Sequence, residues 1–344
     1  MDILISPHLN LERKQLMKAA WYTLNGEAQD VMVLGELPTP QPAAGEVLVR
    51  LVTSGVNPSD VKSRRARALT DPMIVPHSDG AGVIEAVGAG VSDSRVGERV
   101  WVWNGQWQRP WGTCAEFIAL PQEQAVHLPE GTDFAAGACM GIPGLTAVQA
   151  VTLAERLAGD LRGQTVLVTG ASSAVGHYIT QMVTQCGGHV MGTVGSPDKA
   201  QHAQAAGMQE AIYYKTESVS ERVKALTQGR GASVIIDMDF STTATWAAQG
   251  ALAPHGQVVC YGSNALDVSL PFRPWLFQSM GVQFFLVYDL TPADRAAALA
   301  RLTGLLQAQS LIHAIGARCT LDQVVDAHRQ VEAGQTLGNV VIEL

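Results

Sequence analysis

The residues best suited to chemistry begin at Gln164. QTVLVTG (164–170) is an apolar strand that runs straight into GASSAVGHYITQMV, a turn of small residues followed by an amphipathic helix. Gly170, Ala171, Ser172, Ala174 and Gly176 let a ligand come close to the backbone. The helix start adds unpaired N–H groups and a positive dipole end, so the loop suits a pyrophosphate. Ser172 and Ala174 stand where a dinucleotide fingerprint usually has glycine, and a tight helix-sheet contact without ligand is the competing reading. The next strand, HVMGTVG (189–195), ends without the Asp or Glu that would bond a ribose 2′-hydroxyl. Gly195, Ser196 and then Lys199 follow instead, so a 2′-phosphate meets no like charge and gains a hydroxyl and a cation, which predicts NADPH rather than NADH. A solvated lysine on a helix face is the alternative for Lys199.

A second concentration lies in WVWNGQWQRPWGTCAEF, where Trp101, Trp103, Trp107 and Trp111 supply four of the seven tryptophans. Trp101 sits in an alternating strand and belongs to the core, whereas Trp103 and Trp107 are candidates for the floor of an aromatic substrate pocket. The five cysteines (114, 139, 186, 260 and 319) are widely scattered, and the nine histidines show no metal-binding spacing, so buried thiols and no metal centre are expected. With 31 acidic against 23 basic residues the chain carries a formal charge of −8, which opposes nucleic-acid binding and gives no basic face for a membrane. No apolar run approaches the roughly 20 residues of a membrane span, and the opening MDILISPHLNLERKQL carries charge where a signal peptide needs its apolar core. A cytoplasmic protein acting on a small molecule is the expectation.

These groups need elements to hold them. From Met17, short runs such as VMVLGELPTP, EVLVRLVTSGV and GAGVIEAVGAG, broken by Gly, Pro and Asp, predict a small antiparallel barrel-like domain reaching about residue 142. After Pro143 strands alternate with helices through QTVLVTG, HVMGTVG, AIYY, SVIIDM, GQVVCYG and GVQFFLVY, which predicts a doubly wound parallel sheet. A helix, ADRAAALARLTGLLQAQ, and a strand-rich tail follow, the tail folding back on the first domain. Residues 1–16 read as an extension, or as a misassigned start.

GVNPSD (55–60), SDGAGVIEAVGAGV (78–91), GACMGIPGLTA (137–147) and GASSAVG (170–176) together resemble the zinc-free quinone oxidoreductases, the zeta-crystallin type, of the medium-chain dehydrogenase/reductase superfamily. The resemblance runs from Met17 to Leu344 and implies an α/β architecture: a GroES-like β-barrel domain of residues 17–142, completed by 284–344, around a Rossmann domain of 143–283. It places Asn57 at the nicotinamide ribose, Thr146 at the nicotinamide end, Ala174 and Val175 at the pyrophosphate, and Lys199 with Tyr214 at the 2′-phosphate, while Cys260, Tyr261 and Ser263 line the cofactor. For Thr146 a helix cap, for Tyr214 a core tyrosine and for Cys260 and Tyr261 plain strand positions are the competing roles.

Metal-dependent relatives carry a Cys and a His where this chain has Asn57 and Ser78, so the resemblance implies no catalytic zinc. It also implies a homodimer through GVQFFLVY (281–288). Two departures stand out. Lys62 replaces a frequent tyrosine, and Gly334, Gln335, Gly338 and Asn339 occupy a tail region where relatives often have a basic residue. The implied reaction is NADPH-dependent hydride transfer to a quinone or another conjugated carbonyl, with Asn57 bonding cofactor or carbonyl. Lys62 or Asp60 is the candidate proton donor, with surface ion pairing as the competing role for both. An enoyl or alkenal double-bond reductase and a non-catalytic NADPH-binding protein are the alternatives.

Overall fold

The computed structural model describes residues 15–344; all but the last two positions of the expected N-terminal extension lie outside it. Six parallel strands form one sheet in the spatial order Glu210–Tyr213, His189–Val194, Thr165–Val168, Ala232–Asp237, Leu252–Cys260, Gly281–Phe284. Val166, Leu167, Val168, Ile235 and Ile236 are fully buried, as apolar strands covered by helices on both faces must be. In chain order this is 3-2-1-4-5-6, the doubly wound Rossmann arrangement, and the order reverses between Thr165–Val168 and Ala232–Asp237. The crevice at the carboxyl ends of those two strands is where such sheets bind ligands.

The second sheet has seven strands built around Glu46–Val56, an eleven-residue strand that pairs antiparallel with Asp79–Val87, Phe117–Pro121 and Asn339–Glu343. Val340 opposite Val56 and Asp79 opposite Gly55 fix the register. The tail therefore does return to the first sheet, through Asn339–Glu343 and its parallel neighbour Ile315–Thr320. One cluster of buried side chains joins Trp101, Leu128 and Met140 to Val166, Tyr178 and Ile236 and so bridges the two sheets, while Val47, Val49, Ile84 and Ile118 form a separate core within the second.

Two elements differ from expectation. Pro58–Ala66 is a helix inside a stretch otherwise rich in strands, started by Pro58 and by the bond from the Asn57 backbone N–H to Asp60 Oδ2 at 2.7 Å. The predicted strand 281–288 stops at Phe284. Val287 and Tyr288 then enter a short 3₁₀ turn and are buried, because they pack towards the core instead of alternating along an edge.

Candidate active site

The loop after Thr165–Val168 is closed by two glycines. Gly170 has φ +63°, and a Cβ on Gly176 would lie 2.2 Å from the Gly170 carbonyl oxygen, so neither position takes a side chain without rearrangement. Thr193 Oγ1 accepts from the Gly170 N–H at 2.8 Å, and Ser173 caps the helix Ala174–Gln185 by accepting from the Gly176 N–H at 3.0 Å. The N–H groups of Ala174 and Val175, in the first turn, have no acceptor within the helix. Ser172 is buried beneath the loop.

At the next strand end, Ser196 caps Pro197–Ala205 and accepts from the Lys199 N–H at 3.4 Å. Lys199 Nζ donates to the Gly334 carbonyl at 2.6 Å, which ties this corner to the tail. Above Gly195 a Cβ would lie 3.1 Å from Tyr214 Oη and 3.4 Å from Lys215 Cε. Gly195, Ser196 and Tyr214 thus share one corner with a second cation, Lys215, which sequence reasoning missed although it adjoins Tyr214. Tyr214 is exposed, so it is not a core residue.

In the crevice itself, Asp237 Oδ1 accepts from Thr169 Oγ1 at 2.8 Å, Thr243 Oγ1 at 2.7 Å and the Asp239 N–H at 3.1 Å. Asp237 Oδ2 and Tyr261 Oη are buried with no hydrogen-bond partner among the described residues. Asp237 went unrecognised in the sequence, where its signal was an acid at the end of the apolar run SVIID. Cys260 is buried, its Sγ donating to the Gly262 carbonyl at 3.1 Å, and burial pushes its thiol up to about 12. Ser263 Oγ donates to the Ala265 carbonyl at 2.9 Å within a turn. Thr146 is the second residue of the helix Leu145–Ala158, not its cap, and is buried. Asn339 spends its side-chain N–H on the Ala314 carbonyl at 3.0 Å.

Across the cleft, three of the sequence stretches converge on Asp79. Asn57 Nδ2 donates to Asp79 Oδ2 at 2.8 Å, and a Cβ on Gly141 would fall 2.4 Å from Asp79 Oδ1. A Cβ on Gly55 would lie 2.1 Å from the Ala138 carbonyl oxygen and 3.1 Å from Asp79 Cβ. Burial holds the Asp79 carboxyl well above the usual carboxylate range, with the nearby Asp60 adding to it and the Asn57 hydrogen bond opposing it. Asp60 is pushed up to about 7, chiefly by burial. It is not the surface group considered from sequence, because the helix it starts buries it. Lys62 on the same helix is exposed and forms no ion pair among the described residues. Behind Asn57 runs a buried chain in which Ser54 Oγ meets His77 Nδ1 at 2.9 Å and His77 Nε2 meets His328 Nε2 at 3.0 Å. Burial lowers both imidazoles, His328 to about 3.

The tryptophans divide. Trp101 is fully buried in the shared core. Trp103 lies under the Arg295 guanidinium, 4.2 Å from ring centroid to carbon, and its Nε1 donates to the Glu123 carbonyl at 3.1 Å. Trp107 stacks on Tyr288 at 4.5 Å and lines a cleft of about 210 Å³ with Tyr22, Arg67, Leu69, Ile74 and Gln106. Tyr288 Oη donates to Ser59 Oγ at 2.9 Å, which connects that cleft to the Asn57 helix. Tyr288 and Arg67 were missed in the sequence, the first because it was read as part of an edge strand.

Where metal-dependent relatives have ligands, Ser78 Oγ donates to the Gln106 carbonyl at 3.1 Å and Asn57 is bonded as above. Among the described residues no three His, Cys, Asp or Glu side chains gather as a metal site. Residues 43–130 match the model of the alcohol dehydrogenase GroES-like domain and residues 174–304 that of the zinc-binding dehydrogenases. A quinone oxidoreductase of Pseudomonas aeruginosa is 31% identical over 322 residues, covering 91% of this chain and 95% of the relative. The chain belongs to the quinone oxidoreductase type of the medium-chain dehydrogenase/reductase superfamily. Another relative in this superfamily, a 2-haloacrylate reductase of a Burkholderia species, is 27% identical over 91% of this chain and 95% of its own length. A mycobacterial protein whose structure was solved with NADPH superposes with a TM-score of 0.84 at 27% identity, covering 95% of this chain and all of that one.

Proposed function

We propose that this oxidoreductase uses NADPH to reduce quinones or other conjugated carbonyl acceptors without a metal. The observations that carry the reading are a loop closed by Gly170 and Gly176 at the switch point of the parallel sheet, the buried and unpartnered Asp237 Oδ2 and Tyr261 Oη, and an Asn57 amide bonded to the buried Asp79 carboxyl. Family membership and the NADPH-bound neighbour support the cofactor.

When bound, NADPH supplies a hydride. The N–H groups of Ala174 and Val175 hold its pyrophosphate, and Ser196, Lys199, Tyr214 and Lys215 hold its 2′-phosphate. Asn57 spends one Nδ2 hydrogen on Asp79 and keeps the other for an acceptor oxygen or a ribose hydroxyl. Burial disfavours the charged form of Asp79, which limits the negative charge set against an acceptor that is gaining electrons. With only an amide to stabilise a developing oxyanion, the acceptor has to spread that charge through its own conjugation, and solvent completes the protonation. The relative named for 2-haloacrylate favours an activated C=C bond as an acceptor alongside quinones.

We place the domain division near residues 142 and 283, and a homodimer at the exposed edge of the parallel sheet, where Phe272, Phe277, Phe284 and Leu286 are all about half exposed or more. The described residues hold no helix long and apolar enough to cross a membrane, and the chain works in the cytoplasm on this reading. The test is NADPH oxidation by exhaustively chelated protein against quinones, enones and simple ketones. Turnover confined to the conjugated acceptors supports the reading, and loss of all activity with the metal overturns it.

A further inference from the structure

The cleft beside Trp107 holds a cation that the fold does not neutralise. Three arginines lie at the end of the helix Pro58–Ala66, and two are paired: Arg64 with Glu332, and Arg65 with Glu27 at 2.7 Å and Glu332 at 3.5 Å. Arg67, the residue that ends the helix, has no carboxylate within ion-pair distance among the described residues. The nearby Asp71 accepts from Thr70 Oγ1 at 2.8 Å. Arg67 is exposed, but its backbone is anchored. Its N–H donates to the Ser63 carbonyl at 3.1 Å, Asn25 Nδ2 donates to its carbonyl at 3.0 Å, and its guanidinium lies over Trp107, 5.3 Å from the ring centroid.

Its place relative to the reaction is set by two rigid links. The helix that it ends begins at Asn57, and the Trp107 ring it covers is stacked on Tyr288, which bonds Ser59 in the first turn of that helix. The cleft of about 210 Å³ is smaller than the roughly 300–1,000 Å³ usual for small-molecule sites, and so takes a single ring or a short chain. An indole face with a guanidinium at its rim, in a protein of net charge −8, is a local reversal of sign that favours one kind of ligand.

Resting on the reductase reading above, we infer that the acceptor carries a carboxylate on a short arm, which Arg67 binds over Trp107 while the conjugated end faces Asn57. A planar guanidinium pairs with a carboxylate through two parallel N–H bonds, so the contact fixes orientation as well as charge.

The test uses 1,4-benzoquinone bearing a propanoate side chain and its methyl ester, which share a redox nucleus and differ in charge. The full-length protein should prefer the acid by about tenfold or more in kcat/KM, with the preference shrinking as salt is raised. In Arg67→Met the acid-to-ester ratio should fall about tenfold to a hundredfold, and Arg67→Lys should restore part of it. An unchanged ratio in Arg67→Met, or no preference in the parent protein, overturns the inference. Binding of 3-phenylpropanoate against its methyl ester in the presence of NADP+, read by tryptophan fluorescence, separates the two claims. Acid-selective binding that Arg67→Met abolishes, with neither quinone reduced, supports the role of Arg67 and refutes the reductase reading.

Discussion

Asn57 Nδ2 donates to Asp79 Oδ2 at 2.8 Å, and the acid on the receiving end is fully buried, which raises its pKa well above the usual carboxylate range. The pair spans the start of one helix and the start of the strand Asp79–Val87, so it fixes the amide between those two elements. Asp79→Asn keeps an acceptor oxygen for that amide and should retain activity within a few-fold. Asp79→Ala removes the acceptor and leaves a buried N–H unpaired, at a cost of about 1–3 kcal/mol, so kcat/KM should drop about tenfold to a hundredfold. Steady-state kinetics on both variants, with melting curves to confirm folding, checks this.

Cofactor choice rests on a corner with two lysines. Lys199→Ala and Lys215→Ala should each weaken NADPH binding by about tenfold to a hundredfold and leave NADH nearly unchanged, measured by fluorescence titration. Lys199 also holds the Gly334 carbonyl, so its variant should loosen the tail at residues 334–338, visible as faster local hydrogen exchange.

Stability should depend on pH through groups that oppose one another. His177 and His328 are held at about 4 and about 3 by burial, against 6.5 when unfolded, so the unfolded chain binds the extra protons and stability falls as pH drops below about 6.5. Asp60 runs the other way: raised from 3.8 to about 7, it is protonated first in the folded chain, and its contribution grows as pH falls from 7 towards 4. Asp60→Asn removes the compensating carboxyl. Its melting temperature should therefore fall more steeply between pH 7 and 4 than that of the parent protein, as followed by circular dichroism.

Association should depend on Phe284 and Leu286, which are exposed at the sheet edge, rather than on Phe285, which packs against the core. Phe284→Asp combined with Leu286→Asp should sediment as a folded monomer where the parent protein sediments as a dimer at micromolar concentration. A parent protein that is already monomeric contradicts the proposed assembly.

The alternation of strand and helix after Pro143 was legible because buried parallel strands are nearly all apolar, and the return of the tail was legible from its short strands. The helix Pro58–Ala66 was not, since two arginines and a lysine mask its buried face: Val61, Ser63 and Arg64 turn inward, and Arg64 meets partners that only the folded structure assembles. For the same reason Asp60 reads as a surface acid. The loop proposed to hold the cofactor was legible from its strand–turn–helix context and small residues, whereas the surroundings of Asp237, Tyr288 and Arg67 are assembled from neighbours distant in sequence. Cys260 shows the reverse error, as a residue beside the cleft whose side chain points into the core.

The most direct test of hydride delivery to a conjugated acceptor is the fate of the label from NADPH deuterated at nicotinamide C4, using metal-free protein and an enone. The account predicts one deuterium on the β-carbon of the saturated ketone. Deuterium on the carbinol carbon of an allylic alcohol, or oxidation of simple alcohols with no turnover of any conjugated acceptor, would contradict it.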